Sequence, residues 1–484
     1  MNAQEATNNS WSAVDTEKND FGPTVEAENQ DINPQNFSKR RKWLLLSLVS
    51  LMAFLSPLAS SIPAPGIHLM DKDFQVTSQI LNSFAVSIFV LGFALGPLIL
   101  APLSEAYGRQ IVLNGANFFH AVWQLGAALS PNLASLIVFR FLGGVGGSAC
   151  LTIGGGIIAD LFPLAQRGKA NAMFTVGPLL GPVVGPVIGG FIAQRAGWRW
   201  VYWVLLIATG TLAIVNLVLG QETNHAVMLR WHRKPLQKRG SANAVYDSEE
   251  SQAPNATAGL LLGITRPMKM VLGSPILFFL TLYMSFVFGL LYLLFTTITT
   301  LFTTQYDWPV ELAGLAYLGL GIGFIIGITV VAKTSDDTVT RLTKENNNVY
   351  KPEMRLASCL IAAPFIPISF FWYGWTADKH IHWILPIIGL VPFGFGMIGI
   401  FASIQTYFID VSGPFAASSI AGLIAVRCLF GAFLPLAGPS MYKVLGMGWG
   451  NSLLGFLALG MTPVPALIYR YGGTLREKYP IAVL

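Results

Sequence analysis

The stretch Gly177-Pro178-Leu179-Leu180-Gly181-Pro182-Val183-Val184-Gly185-Pro186-Val187-Ile188-Gly189-Gly190 places glycine at every fourth position, with proline after the first three glycines. In water such a composition forms turns, because proline removes a backbone donor and glycine weakens helix by about 1 kcal/mol per residue. Yet it sits inside an uncharged run from Asn171 to Gln194. In lipid the objection weakens, since freed backbone groups can be satisfied inside the protein and small residues four apart form one smooth face that admits a neighbouring helix. The fold therefore turns on whether the chain belongs in a membrane.

Composition says that it does. Of 484 residues, 53% are hydrophobic and 11% charged, against roughly 25% charged in soluble domains, and the mean hydropathy is +0.57. Cys150, Cys359 and Cys428 lie in apolar surroundings without CxxC or Cys/His spacing, which indicates neither disulfides nor a metal site. The six histidines are scattered, and no HExxH, GxSxG or paired catalytic carboxylates occur, so no enzyme and no cofactor are expected.

Apolar runs of about 20 residues fall near 43–66, 80–102, 111–130, 133–159, 170–194 and 199–220, and again near 274–301, 312–332, 356–375, 382–405, 416–440 and 449–470. This divides the chain into a disordered polar tail (1–42), a six-helix bundle (43–220), a hydrophilic linker (221–272), a second six-helix bundle (273–470) and a short tail (471–484). The expected fold class is an all-α membrane protein with twelve transmembrane helices in two six-helix bundles. With both termini cytoplasmic, Lys39 to Lys42, Arg109, Arg167, Lys169, the linker bases and the Lys333 to Arg355 group fall inside, leaving Lys72, Arg195, Arg199, Lys379 and Lys443 outside. That asymmetry obeys the positive-inside rule. It accounts for the net charge of +6 through topology, with the lipid bilayer as partner and no nucleic acid. In the linker, the basic run Arg230-Trp231-His232-Arg233-Lys234 reads as ordinary inside charge or as a contact with anionic lipid, and residues 240–258 read as disordered.

Three motifs carry a family resemblance. The second loop, from Gly96 through Ala101, Glu105, Ala106, Gly108 and Arg109 to Gln110, resembles the Gly-x-Leu-x-Asp-Arg-x-Gly-Arg-Arg loop of the major facilitator superfamily. Glu105 stands for the Asp, while Ala101, Ala106 and Gln110 depart from the pattern. Leu136 through Arg140 to Gly144 resembles the superfamily's Leu-x-x-x-Arg-x-x-x-Gly motif in the fourth span. The opening stretch, Gly177, Pro178, Gly181, Pro182, Gly185, Pro186, Gly189 and Gly190, resembles the signature of the drug:proton antiporter branch. Thr265 to Lys269, Gly319 to Gly323, and Gly413 through Arg427 to Trp449 resemble the twelve-span fungal drug and polyamine exporters.

The resemblance implies a gate at Glu105, Gly108, Arg109 and Asp160, though helix capping would explain the same residues. Arg140 and Arg427 are the only formal charges deep in the spans, and an intramembrane arginine must face protein or water. Each either engages substrate or ties structure. Because mid-span carboxylates are missing, His120 is the candidate for proton coupling, set against a hydrogen-bonded packing role. Asn82, Gln124, Tyr283, Tyr292 and Thr296 are candidate pocket residues, with lipid contact as the other reading of the aromatic seventh span. The glycine face of the fifth span is expected against the eighth span, between the halves, as a sliding contact.

Together these lead to a monomeric cell-membrane exporter of small organic molecules such as a drug, toxin or secondary metabolite, working by proton antiport. Polyamine transport is the runner-up within the class, disfavoured by the missing acidic residues. A transporter-like sensor is the alternative outside it, disfavoured by the short tail after Arg470.

Overall fold

Backbone amides facing hydrocarbon have no water to bond, so each apolar run must satisfy its own and becomes helix. The computed structural model describes residues 33–75, 78–225, 227–231, 256–412 and 416–479, with no strand among them. The first half comprises Lys39–Ser61, Gln79–Tyr107, Arg109–Ala128, Leu133–Leu161, Leu164–Ala196 and Trp198–Leu219. The second begins with Pro275–Gln305, Val310–Glu345, Pro352–Asp378 and Ile384–Ser412. Its eleventh span starts as Ala416–Phe433 and runs on into Ala437–Met461. That helix breaks at Gly446, where φ is +72°. Side chains rarely allow this angle, so a glycine turns the chain into the twelfth span, which Pro463–Lys478 completes.

Ten stretches are long and apolar enough to cross a membrane, and the last of them, Ser418–Lys478, holds two passes on either side of Gly446. The third span, Arg109–Ala128, falls short because Asn114, Asn117, His120 and Gln124 recur at helical spacing on it. These polar groups turn into the protein: Asn114 accepts from Asn216 at 2.6 Å and Asn117 meets the Met52 sulfur at 3.1 Å. This gives twelve transmembrane helices in two six-helix bundles. Lys39 and Lys478 mark one end of the bundle, called here the near end, and the opposite end is the far end.

Three expectations change. Residues 1–32 of the expected tail lie outside the described residues, but 33–42 are ordered: Pro34–Asn36 forms a 3-10 turn and the first span starts at Lys39, where Lys42 Nζ donates to the Gln35 oxygen at 2.6 Å. Residues 232–255 of the linker also lie outside, while Ala256–Gly273 is a helix packed on the second, seventh and eleventh spans. The short tail from 471 is helical as far as Lys478.

The glycine face has a different partner from the one expected. A methyl group added at Gly177, Gly181 or Gly185 would lie 2.9, 2.6 or 2.9 Å from the backbone oxygens of Ser50, Phe54 and Leu58, and at Gly189 it would collide with that of Ile62. All four neighbours belong to the first span. Glycine therefore fastens the first and fifth spans within one half, and Ser61 Oγ strengthens the seam by donating to the Pro182 oxygen at 2.9 Å. One residue on is about 100° round the helix, so the prolines face elsewhere. Only this other side meets the eighth span, where Gly190 lies against Val310, the Pro186 oxygen against Gly314 and Val183 against Gly321.

Candidate functional site

Two cavities lie in line between the halves. The central one is tight, about 80 Å³, and is lined by Pro57, Phe93, Pro178, Pro182, Phe288, Tyr292, Phe401 and Arg427, among others. The far-end one, about 720 Å³, is more polar and is lined by His68, Asp71, Asn82, Thr296, Thr300 and Lys443, among others. Between them runs a layer of bonds that join the halves. Ser60 Oγ and the Tyr292 hydroxyl are 3.0 Å apart, and Ser87 Oγ donates to the Ala432 oxygen at 2.7 Å. Farther out, Thr300 meets His68 Nε2 at 3.3 Å and Arg195 pairs with Glu311 at 3.0 Å. These four contacts all lie in the half of the interface nearer the far end.

Arg140 anchors this layer from the first half. It is 3% exposed. Its Nη2 donates to the oxygens of Ser60 at 2.8 Å and Val86 at 3.0 Å, and Nη1 to that of Ala59 at 3.4 Å. The Ala59 oxygen needs a donor because the residue four later, Pro63, has no N–H. The guanidinium thus caps the C-terminus of the first span, where a cation also meets the negative end of the helix dipole. Its own charge rests over the Phe89 ring at 5.3 Å.

Arg427 is placed otherwise. It lines the central cavity, its Nε is buried without a hydrogen-bond partner, and it lies 5.1 Å from the Phe288 ring centroid and 4.7 Å from that of Phe401. A ring face contributes about 0.5–2 kcal/mol to a cation, short of the several kcal/mol that desolvating an ion costs. No carboxylate among the described residues lines that cavity.

At the near end each half carries a latch of its own. In the first, Arg109 Nε pairs with Asp160 at 3.3 Å and Nη1 donates to Ser104 Oγ at 2.9 Å. Gly156 makes room, since a methyl there would sit 2.9 Å from the Arg109 Cζ. Glu222, 8% exposed, accepts the backbone N–H groups of Arg109 at 2.8 Å and Gln110 at 3.1 Å, capping the third span. Gly108 lets the carboxylate approach: its φ is +109°, and any side chain there would collide with Glu222. In the second half Arg355 opens the ninth span and bonds Asp336 at 2.9 Å and Asp410 at 3.1 Å, while Tyr350 donates to the same Asp410. Burial, then the bond to Asp410, pushes the Tyr350 hydroxyl up to about 12, so it remains the donor at neutral pH.

The residues expected at the site separate accordingly. Gly108, Arg109 and Asp160 come together, but Glu105 is exposed and enters none of the ion pairs among the described residues; Glu222 occupies the place expected of it. Tyr292, Arg427, Pro178 and Pro182 line the central cavity, and Asn82 and Thr296 the far-end one. Tyr283 is buried in the apolar core. His120 lies inside the first half, with Nδ1 on the Gly143 oxygen at 2.6 Å and Nε2 facing the Gln124 amide at 3.3 Å. The carbonyl needs an N–H from Nδ1, which leaves Nε2 as the acceptor and the ring neutral. Sequence reasoning set Phe288 among the aromatics of the seventh span and Glu222 at a span end without a role, and it missed Ser60, Phe401 and the Arg355 latch. Only the last had a signal, since Arg355 and Asp410 repeat in the second half the positions of Arg109 and Asp160 at span ends.

Two six-helix bundles with cavities between them and a layer of bonds joining the halves have the build of a membrane transporter. The chain belongs to the Major Facilitator Superfamily, whose model matches residues 49–436. It is 44% identical over 464 residues to "MFS transporter cpaT" of Aspergillus oryzae, covering 96% of this chain and 92% of that one. It is 46% identical over 447 residues to "MFS-type transporter penM" of Penicillium rubens, covering 92% and 87%. Among solved structures, a D-xylose-proton symporter superposes with a TM-score of 0.65 at 15% identity, covering 91% of this chain and 99% of that one. The partially occluded inward-open xylose transporter XylE from E. coli gives 0.64 at 14%, covering 89% and 99%. At such identities the likeness is one of fold.

Proposed function

We propose that this protein exports small, largely apolar organic molecules, toxins or secondary metabolites, across the cell membrane by alternating access and in exchange for protons. The observation that carries the reading is the central apolar cavity, separated from the far-end cavity by the Ser60–Tyr292 and Ser87–Ala432 bonds. Cargo taken up from the near end leaves when that layer parts. The near end is the cytoplasmic one, because Lys39 to Lys42 and the latch arginines lie there. Proton exchange rests on the resemblance of the Gly-Pro run to the antiporter signature. The titratable pair placed to serve it is His68 and Asp71, 3.8 Å apart beside the far-end cavity, whereas both ring nitrogens of His120 are already committed. Polyamines fit poorly in a cavity whose one charge is Arg427.

The reading is tested by flux into proteoliposomes of defined orientation under an imposed pH gradient, with a panel of amphipathic compounds. Uptake that collapses with the gradient, and that fails in Asp71→Asn but persists in His120→Gln, is the expected result. Gradient-independent flux in the unaltered protein would remove proton exchange, and flux of no compound would remove export.

A further inference from the structure

A neutral cargo would leave one group in the central cavity unanswered. Arg427 brings a permanent positive charge there, its Nε buried and without a hydrogen-bond partner. The two rings beside it, Phe288 and Phe401, offer faces and no anion. The other deep arginine, Arg140, also leaves its Nε without a partner, but its two terminal nitrogens donate to three backbone oxygens, whereas among the described residues Arg427 has only the weak Cys428 sulfur beside it. Guanidinium stays charged at any physiological pH, and its flat fork matches a carboxylate or a similar delocalised pair of oxygens. The walls nearby, Leu291, Met397 and Phe93, offer an apolar body nothing polar.

We infer that Arg427 is the anion-binding subsite of the central cavity and that the cargo is an amphipathic organic monoanion, its acidic oxygens on the guanidinium and its apolar part against Phe288 and Phe401. This deepens the export reading and rests on the central cavity being the one that cargo occupies. Phe288 also lies 5.2 Å from Tyr292, the residue that bonds Ser60 across the halves. An anion seated there therefore touches the side chain next to the bond that must part.

The test uses three probes of one shape, 2-naphthoate, 2-naphthamide and 2-naphthylmethylammonium, titrated onto the full chain in phosphatidylcholine nanodiscs at neutral pH. Naphthoate should bind about tenfold or more tighter than the amide, the scale for a desolvated charge partner, with the ammonium weakest. Arg427→Gln should lower naphthoate affinity to that of the amide and leave the amide unchanged, while Arg427→Lys, lacking the fork, restores part of the difference. Phe288→Ala should weaken naphthoate and naphthamide alike. Equal affinities in the unaltered protein, no measurable naphthoate binding, or equal losses of both probes in Arg427→Gln would overturn the subsite. Should Arg427→Gln not fold, the ratio in the unaltered protein decides. The same probes loaded with proteoliposomes keep the two readings apart: charge preference without flux removes export and leaves the subsite, and flux without charge preference does the reverse.

Discussion

Arg140 and Arg427 are the same side chain in the interior of the same bundle, yet they are used in opposite ways. Arg140 spends its donors on three carbonyls and caps a helix that Pro63 leaves open. Arg427 keeps its charge beside a cavity, between aromatic rings. On the proposed reading, an intramembrane charge serves cargo where backbone carbonyls do not take up its terminal donors. Where carbonyls lack donors, the same charge is a structural cap.

That contrast can be broken by stability measurements. Arg140→Gln leaves buried carbonyls short of donors at about 1–3 kcal/mol each, and the expected outcome is loss of monodisperse protein in detergent. Arg427→Gln should purify with a melting temperature near that of the unaltered chain, and the reverse ranking would undo the comparison. Next in size is Gly181→Ala, whose methyl would press on the Phe54 oxygen. Overpacking of this kind costs about 1–3 kcal/mol, read as a lowered melting temperature with the membrane topology retained. Tyr292→Phe and Ser60→Ala each remove one bond between halves, worth about 1 kcal/mol. Each should raise the reaction rate of a Thr296→Cys reporter with an impermeant thiol reagent about fivefold, and the double variant should add nothing. The smallest effect is at the first-half latch: Asp160→Asn removes a partly buried pair within that half and should lower stability by about 1 kcal/mol or less, read as melting temperature, whereas Glu105→Gln should stay within about 0.5 kcal/mol. A larger effect at Glu105 than at Asp160 would show that the exposed carboxylate does the latching.

Spans and family were legible because hydropathy is a property of neighbours in the chain. The twelve passes, the inward-facing Arg140 and the Gly108–Arg109 turn all followed from local runs. The partners were not legible. Arg140 bonds Ser60, 80 residues away, and Glu222 reaches Arg109 across 113, and no motif records such pairings. The Gly-Pro run shows the divide within one stretch. Its spacing announced a smooth face, but which helix lies on that face depends on the packing of the whole half, and it was the first span rather than the eighth. His120 shows the same divide: its intrinsic proton affinity belongs to the free side chain, while its partners, Gly143 and Gln124, come from the packing of the half.

The glycine seam has a mechanical consequence. The first and fifth spans touch backbone to backbone over the length from Gly177 to Gly189, with little side chain beyond Ser61 between them to yield. Pro57, Pro178 and Pro182 of this pair form wall of the central cavity, and Ser60 of the same pair holds Tyr292. A push on the wall is therefore delivered to the bolt as by a stiff lever, with little lost in bending. Transmission here is a matter of rigidity more than of chemistry, and softening the lever would uncouple a filled cavity from its exit even with every polar group in place.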